Sequence, residues 1–161
     1  ETYDTSQLLV SGRPLVREDL GEIWVYYRAC RFRSYRDQHD ESYGKYFDDL
    51  NAVSLAKVRL DGFVSLDAER KGELVTSSFM LREGDVYVNT HSQNGELRAE
   101  LLDAETMESI QGMSLDDCNS ISADELRAKI TWNGTREPMD GRPVRLRFEM
   151  SEAKLYSFWI E

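Results

Sequence analysis

Apolar residues recur at every second position over most of this chain. The clearest run is Val144-Arg145-Leu146-Arg147-Phe148-Glu149-Met150, with charge between the apolar positions. Successive side chains of a strand point to opposite faces, so the pattern predicts one buried and one wet face. Leu97-Arg98-Ala99-Glu100-Leu101 and Asp85-Val86-Tyr87-Val88-Asn89 repeat it. Leu97, Ala99 and Leu101 are expected to share a core with Val144, Leu146, Phe148 and Met150. Leu155-Tyr156-Ser157-Phe158-Trp159-Ile160 predicts a buried terminal strand. Turn formers separate the runs: Glu83-Gly84-Asp85, Asp61-Gly62, Asn133-Gly134 and Asp140-Gly141. Asn94-Gly95 predicts a two-residue hairpin turn with both central residues at positive φ. Seven or eight short strands over 52–161 predict an all-β fold, an antiparallel, jelly-roll-like sandwich.

The first residues, 1–51, form a separate hairpin and loop segment in this reading. Pro14-Leu15-Val16-Arg17 and Glu22-Ile23-Trp24-Val25-Tyr26-Tyr27 predict two strands around Asp19-Leu20-Gly21. Arg28, Arg31, Arg33 and Arg36 follow, interleaved with Phe32 and Tyr35. Tyr43, Phe47 and Leu50 have helical spacing, whereas Gly44 and its polar neighbours suit a loop. Composition changes near residue 51, at the start of the 52–161 module.

Charge narrows the partners. Thirty acidic residues against twenty basic ones give a formal net charge of −10. A phosphate-tracking surface needs the opposite excess, so no nucleic-acid partner is expected. An anionic membrane surface is disfavoured for the same reason, and no apolar run approaches the ~20 residues of a membrane span. Hydrophobic residues at 40% argue against disorder. The chain opens on Glu1 within a polar stretch that lacks a signal-peptide pattern, so a processed or trimmed chain is expected. Localisation is left open, secreted or periplasmic if a parent protein carries a signal peptide. Cys30 and Cys118 are too few for a disulfide framework or zinc cluster; two buried thiols and one disulfide are the readings.

The run Leu60-Asp61-Gly62-Phe63-Val64-Ser65-Leu66-Asp67-Ala68 resembles the start of the C-terminal β-sandwich module of bacterial glycoside-hydrolase-like proteins. In that family the module follows a five-bladed β-propeller. The likeness continues through 95–104, Ser114-Leu115-Asp116-Asp117-Cys118, Ile130-Thr131-Trp132-Asn133-Gly134, 141–148 and 153–158. Residues 13–27 look like the last strands of such a propeller, with Arg28-Ala29 where the family often has Gly. A blade takes about 40–50 residues, so five cannot fit in this chain. The resemblance implies an accessory, non-catalytic module, glycan-binding or propeller-stabilising. The alternative it implies is the tail of a glycoside hydrolase whose catalytic blades lie elsewhere.

Candidate chemistry follows. Glycosidases need two carboxylates about 5–9.5 Å apart. Asp48-Asp49 and Asp116-Asp117 are adjacent pairs, and neighbours on a strand face opposite ways, so no catalytic residue is assigned. No cofactor is expected. No metal is assigned either, although Asp116, Asp117 and Asn119 carry hard oxygens that suit calcium as well as turns. For glycan, and for an acidic glycan above all, the candidates are Tyr27, Arg28, Arg31, Arg33, Tyr35, Arg36 and His39. Guanidinium forks match carboxylate and sulfate, and aromatic faces stack on sugar rings. The same arginines could instead pair with Asp37, Asp40, Glu41, Asp48 and Asp49. Tyr87, Asn89 and His91 line one strand face, either a sugar site or a solvated surface. Trp24, Trp132 and Trp159 are read as core residues. Asn133-Gly134-Thr135 matches a glycosylation sequon and also a turn. The open hairpin edge over 14–27 is expected to dock on the sandwich or pair with a second copy of the chain.

Overall fold

The computed structural model describes residues 3–31, 51–81, 84–135 and 141–161. The chain is all-β, built from two antiparallel sheets in two compact units, Glu1–Leu60 and Asp61–Glu161.

The first unit holds β1 (Gln7–Val10), β2 (Leu15–Arg17), β3 (Glu22–Cys30) and β4 (Asn51–Arg59). β1 and β2 lie end to end along one edge of β3, and β4 pairs with the other edge over the whole length of β3. Between β2 and β3 a short 3-10 turn, Glu18–Leu20, closes on Gly21, whose φ of 64° suits glycine. The strand after that turn is longer than the two-strand reading implied, because Arg28-Ala29-Cys30 continues β3. The units divide at Leu60, beyond the composition change at residue 51, since 51–59 is held in the first sheet.

Ile23, Val25, Tyr27 and Ala29 alternate with Trp24, Tyr26 and Arg28 across the two faces of β3. The register sets Leu8, Val10 and Val16 on the first face and Leu9, Leu15 and Val53 on the second, all exposed. Trp24 is half-buried beneath Arg17 and Lys57, which lie 4.5 and 4.9 Å from its ring centroid. Its indole N–H donates to Glu22 at 2.6 Å.

The second unit holds β5 (Leu66–Val75), β6 (Phe79–Met80), β7 (Val86–His91), β8 (Glu96–Asp103), β9 (Asp124–Lys129) and β10 (Pro143–Ile160). β10 organises them: β5 and β6 pair along one side, β8 and then β7 along the other, and β9 adds to β7. The two expected runs, 144–150 and 155–160, are therefore halves of one strand. A straight strand would separate Phe148 and Phe158 by about 33 Å. Their ring centroids lie 5.5 Å apart, so β10 folds back upon itself. The bend falls at Ser151–Ala153, where the pairing with β5 shifts register and Glu152 takes a φ of 44°.

Val144, Leu146, Phe148 and Met150 are buried with Leu97, Ala99 and Leu101, while Arg145, Arg147 and Glu149 face the other way. Val86, Val88, Ala153, Leu155 and Ile130 complete the same core.

The Asn94-Gly95 turn departs from the hairpin reading. Gly95 N–H donates to Ser92 O at 3.1 Å, but neither Asn94 nor Gly95 has a positive φ. The flanking strands β7 and β8 pair not with each other but with opposite halves of β10. Glycine is needed here because a Cβ at position 95 would collide with the Ser151 carbonyl at the bend.

Glu100 was expected on a wet face and is buried at 2% exposure. Its carboxylate pairs with Arg147 and accepts the Ser109 hydroxyl at 2.7 Å and the Leu115 N–H at 3.3 Å. The segment after β8 folds over that face, which is why the alternation does not expose it. Both cysteines are buried free thiols.

Candidate functional site

Two irregularities in β10 decide which aromatic side chains reach the surface. Before the bend, even-numbered residues face the core; after it, Ala153 and Leu155 do. A second register shift against β7, between Leu155 and Ser157, reverses the phase again. Phe158 and Ile160 then pack on the core, and Ser157 and Trp159 fall on the outer face. Trp159 is therefore not a core residue. It stacks on Tyr87 of β7, with ring centroids 5.9 Å apart and planes inclined by 17°.

Arg127 of β9 lies over both rings, 4.6 Å from the centroid of Tyr87 and 6.0 Å from that of Trp159. Its guanidinium also pairs with Glu161. Beside this stack runs an open groove of about 520 Å³, lined by Asp61, Phe63, Val64 and the run Tyr156-Ser157-Phe158-Trp159. Phe63 and Val64 are 68% and 75% exposed. They follow the Asp61-Gly62 turn, where Asp61 has a φ of 52°. The groove thus combines four aromatic residues with the Asp61 carboxylate and the Tyr156 and Ser157 hydroxyls. Binding sites commonly pair apolar walls with a few polar groups in this way.

Two lysines of this unit, neither of them lining the groove, have carboxylate partners. Lys154 donates to Asp67 at 2.8 Å, and that bond, with one from Ser65, holds the Asp67 carboxyl below its usual range. Lys129 pairs with Asp85 at 2.6 Å, which raises the lysine.

Another recess, of about 220 Å³, lies among Leu81, Val86, Leu101, Met113, Ile130 and Trp132. These six belong to the core or pack against it, and Gly84, Asp85, Gly112, Lys129, Thr131 and Gly134 make up the rest of the lining. Its cation, Lys129, is the one held by Asp85.

Of the residues predicted from sequence, Tyr27 and Arg28 lie on opposite faces of β3. Arg31 packs its guanidinium over Tyr3, 4.4 Å from the ring centroid. Arg33, Tyr35, Arg36 and His39 lie outside the described residues, as do Asp48-Asp49 and the Tyr43–Leu50 stretch. Asn89 is not a surface group: it is 1% exposed. His91 faces Asp124 at 3.1 Å. Trp132 is half-buried against the core and donates its indole N–H to Ala99 O at 2.8 Å.

Asp117 accepts the Ser114 hydroxyl at 2.6 Å, and the Asn119 and Asn133 side-chain amides bond each other at 2.8 and 3.1 Å. The first closes a turn, and the second ties together two segments fourteen residues apart in sequence. Among the described residues no group of three or more His, Cys, Asp or Glu is placed to hold a metal ion. Among them, too, no helix is long and apolar enough to cross a membrane.

Phe63, Tyr156 and Trp159 were not singled out for binding by sequence reasoning. The available signal was Phe63-Val64, two large apolar residues directly after a turn and outside the period-two pattern. Comparison of the chain with protein-family models, curated proteins and solved structures returns no match.

Proposed function

We propose that this chain is an accessory, non-catalytic β-sandwich module of a bacterial carbohydrate-active protein, and that it binds glycan through the groove on its second unit. The observation that carries the reading is one open groove lined by Phe63, Tyr156, Phe158 and Trp159 together with Asp61 and Ser157. Sugar rings present C–H faces to aromatic surfaces and hydroxyls to carboxylate and hydroxyl groups. The resemblance of residues 52–160 to a glycoside-hydrolase-associated module points to the same ligand class. A glycan array probed with the purified chain tests it. The expected result is binding to a defined set of oligosaccharides, weakened at least tenfold by Phe63→Ala and by Trp159→Ala. Phe63 is largely exposed, so its variant should fold. Undiminished binding by both variants would contradict the groove.

A second reading makes the chain the C-terminal part of a glycoside hydrolase with its catalytic propeller elsewhere. The apolar side chains exposed on both faces of the first sheet favour it, since a blade within a propeller has both faces covered. Under either reading the chain alone should not turn over aryl glycosides. Turnover abolished by replacing a single carboxylate would overturn that.

A further inference from the structure

Resting on the groove reading above, we infer that the ligand is an uncharged glycan and that acidic polysaccharides are excluded. Among the described residues no cation lines the groove, and Asp61 is the one charged residue that does. Carboxylate or sulfate on a sugar is recognised by lysine or by the arginine fork. Three described cations of the same unit do not line the groove and lie in ion pairs, Arg127 with Glu161, Lys154 with Asp67 and Lys129 with Asp85. Arg127 is moreover laid over the Tyr87 and Trp159 rings, which fixes its fork against the sheet.

The wider field acts in the same direction. Residues 61–161 carry twenty Asp and Glu against eleven Lys and Arg, whereas residues 1–60 carry ten against nine. Nearly all the net negative charge of the chain therefore belongs to the unit that bears the groove. An anionic polymer approaching Trp159 meets a like-signed surface within a Debye length of about 8–10 Å. A neutral ring meets only aromatic faces, and its hydroxyls find Asp61 and Ser157 as polar partners. The acidic glycan first suggested by the arginine-rich run does not match this surface.

Calorimetric titration of the full chain discriminates the cases. The probes are neutral hexaoses (cello-, manno- and galacto-hexaose), hexagalacturonate and a chitosan hexamer, each at 50 and 500 mM NaCl. The inference predicts that a neutral hexaose binds at least tenfold more tightly than hexagalacturonate. It also predicts that the neutral affinity changes less than twofold with salt and falls at least tenfold in Phe63→Ala. Tighter binding of hexagalacturonate, or of chitosan with affinity lost at high salt, would overturn the neutral preference. If that binding still fell in Phe63→Ala, the groove itself would stand. Binding by no probe would remove the groove reading and this inference together.

Discussion

Phe148 has no exposed surface and touches Phe158 from the other half of its own strand. Truncating it empties the centre of the core where both halves of β10 meet. Phe148→Ala should cost about 3–5 kcal/mol, measured by urea unfolding; a cost below about 1 kcal/mol would mean the site is not packed as described. Cys118 makes a second residue-scale test. Its sulfur accepts the Ala99 N–H at 3.3 Å inside the core. Burial pushes the thiol above its ordinary value, with that hydrogen bond opposing. The folded thiol thus binds its proton more tightly than the unfolded one. This stabilisation is complete below the unfolded thiol value, about 8.5, and is lost as pH rises through the folded value. Cys118 should resist alkylation at pH 8 until urea unfolds the chain. Rapid modification of the native protein at Cys118 would contradict its burial.

Among the elements, β10 carries most of the consequences. Glu152 sits exposed in the left-handed region at the bend, a conformation that costs a residue with a Cβ roughly 1–2 kcal/mol. Glu152→Gly removes that strain and no packed side chain. It should leave the unfolding midpoint unchanged or raised, whereas a clear fall would show that the bend lies elsewhere. Gly95 is its counterpart: Gly95→Ala forces a Cβ into the Ser151 carbonyl and should destabilise by about 1–3 kcal/mol.

These elements also show where the sequence was legible. Alternation at 144–150 and 97–101 placed seven core residues correctly, because a strand in phase with its neighbours writes its buried face into its own pattern. The bulges were not legible. A register shift depends on the partner strand, and nothing within Leu155–Ile160 distinguishes a strand that changes phase from one that does not. That is why the alternation alone reads Trp159 as core and does not reveal the groove. Asn94-Gly95 announced a turn, but not that its flanking strands would part to straddle a third. Glu100 escaped because its cover comes from residues outside its strand.

At the scale of the whole molecule, the two units differ in what holds them. The main buried cluster is drawn entirely from residues between Ala68 and Leu155. Residues 61–161 expressed alone should therefore unfold cooperatively in urea. The described residues of 1–60 form one sheet in which Ile23, Ala29 and Cys30 are buried while apolar side chains stay exposed on both faces, and they contribute nothing to that cluster. Alone they should show no cooperative transition; a sharp one would mean that this sheet carries a core of its own. The proposed function rests on the groove of the second unit. The most direct test is a two-dimensional NMR titration of the full chain with the tightest-binding neutral hexaose. Saturable shifts should gather at Asp61, Phe63, Tyr156, Ser157 and Trp159, including the Trp159 indole N–H, and leave Tyr27, Arg28 and Arg31 unmoved. Shifts confined to those three residues, with Trp159 unperturbed, would contradict the account.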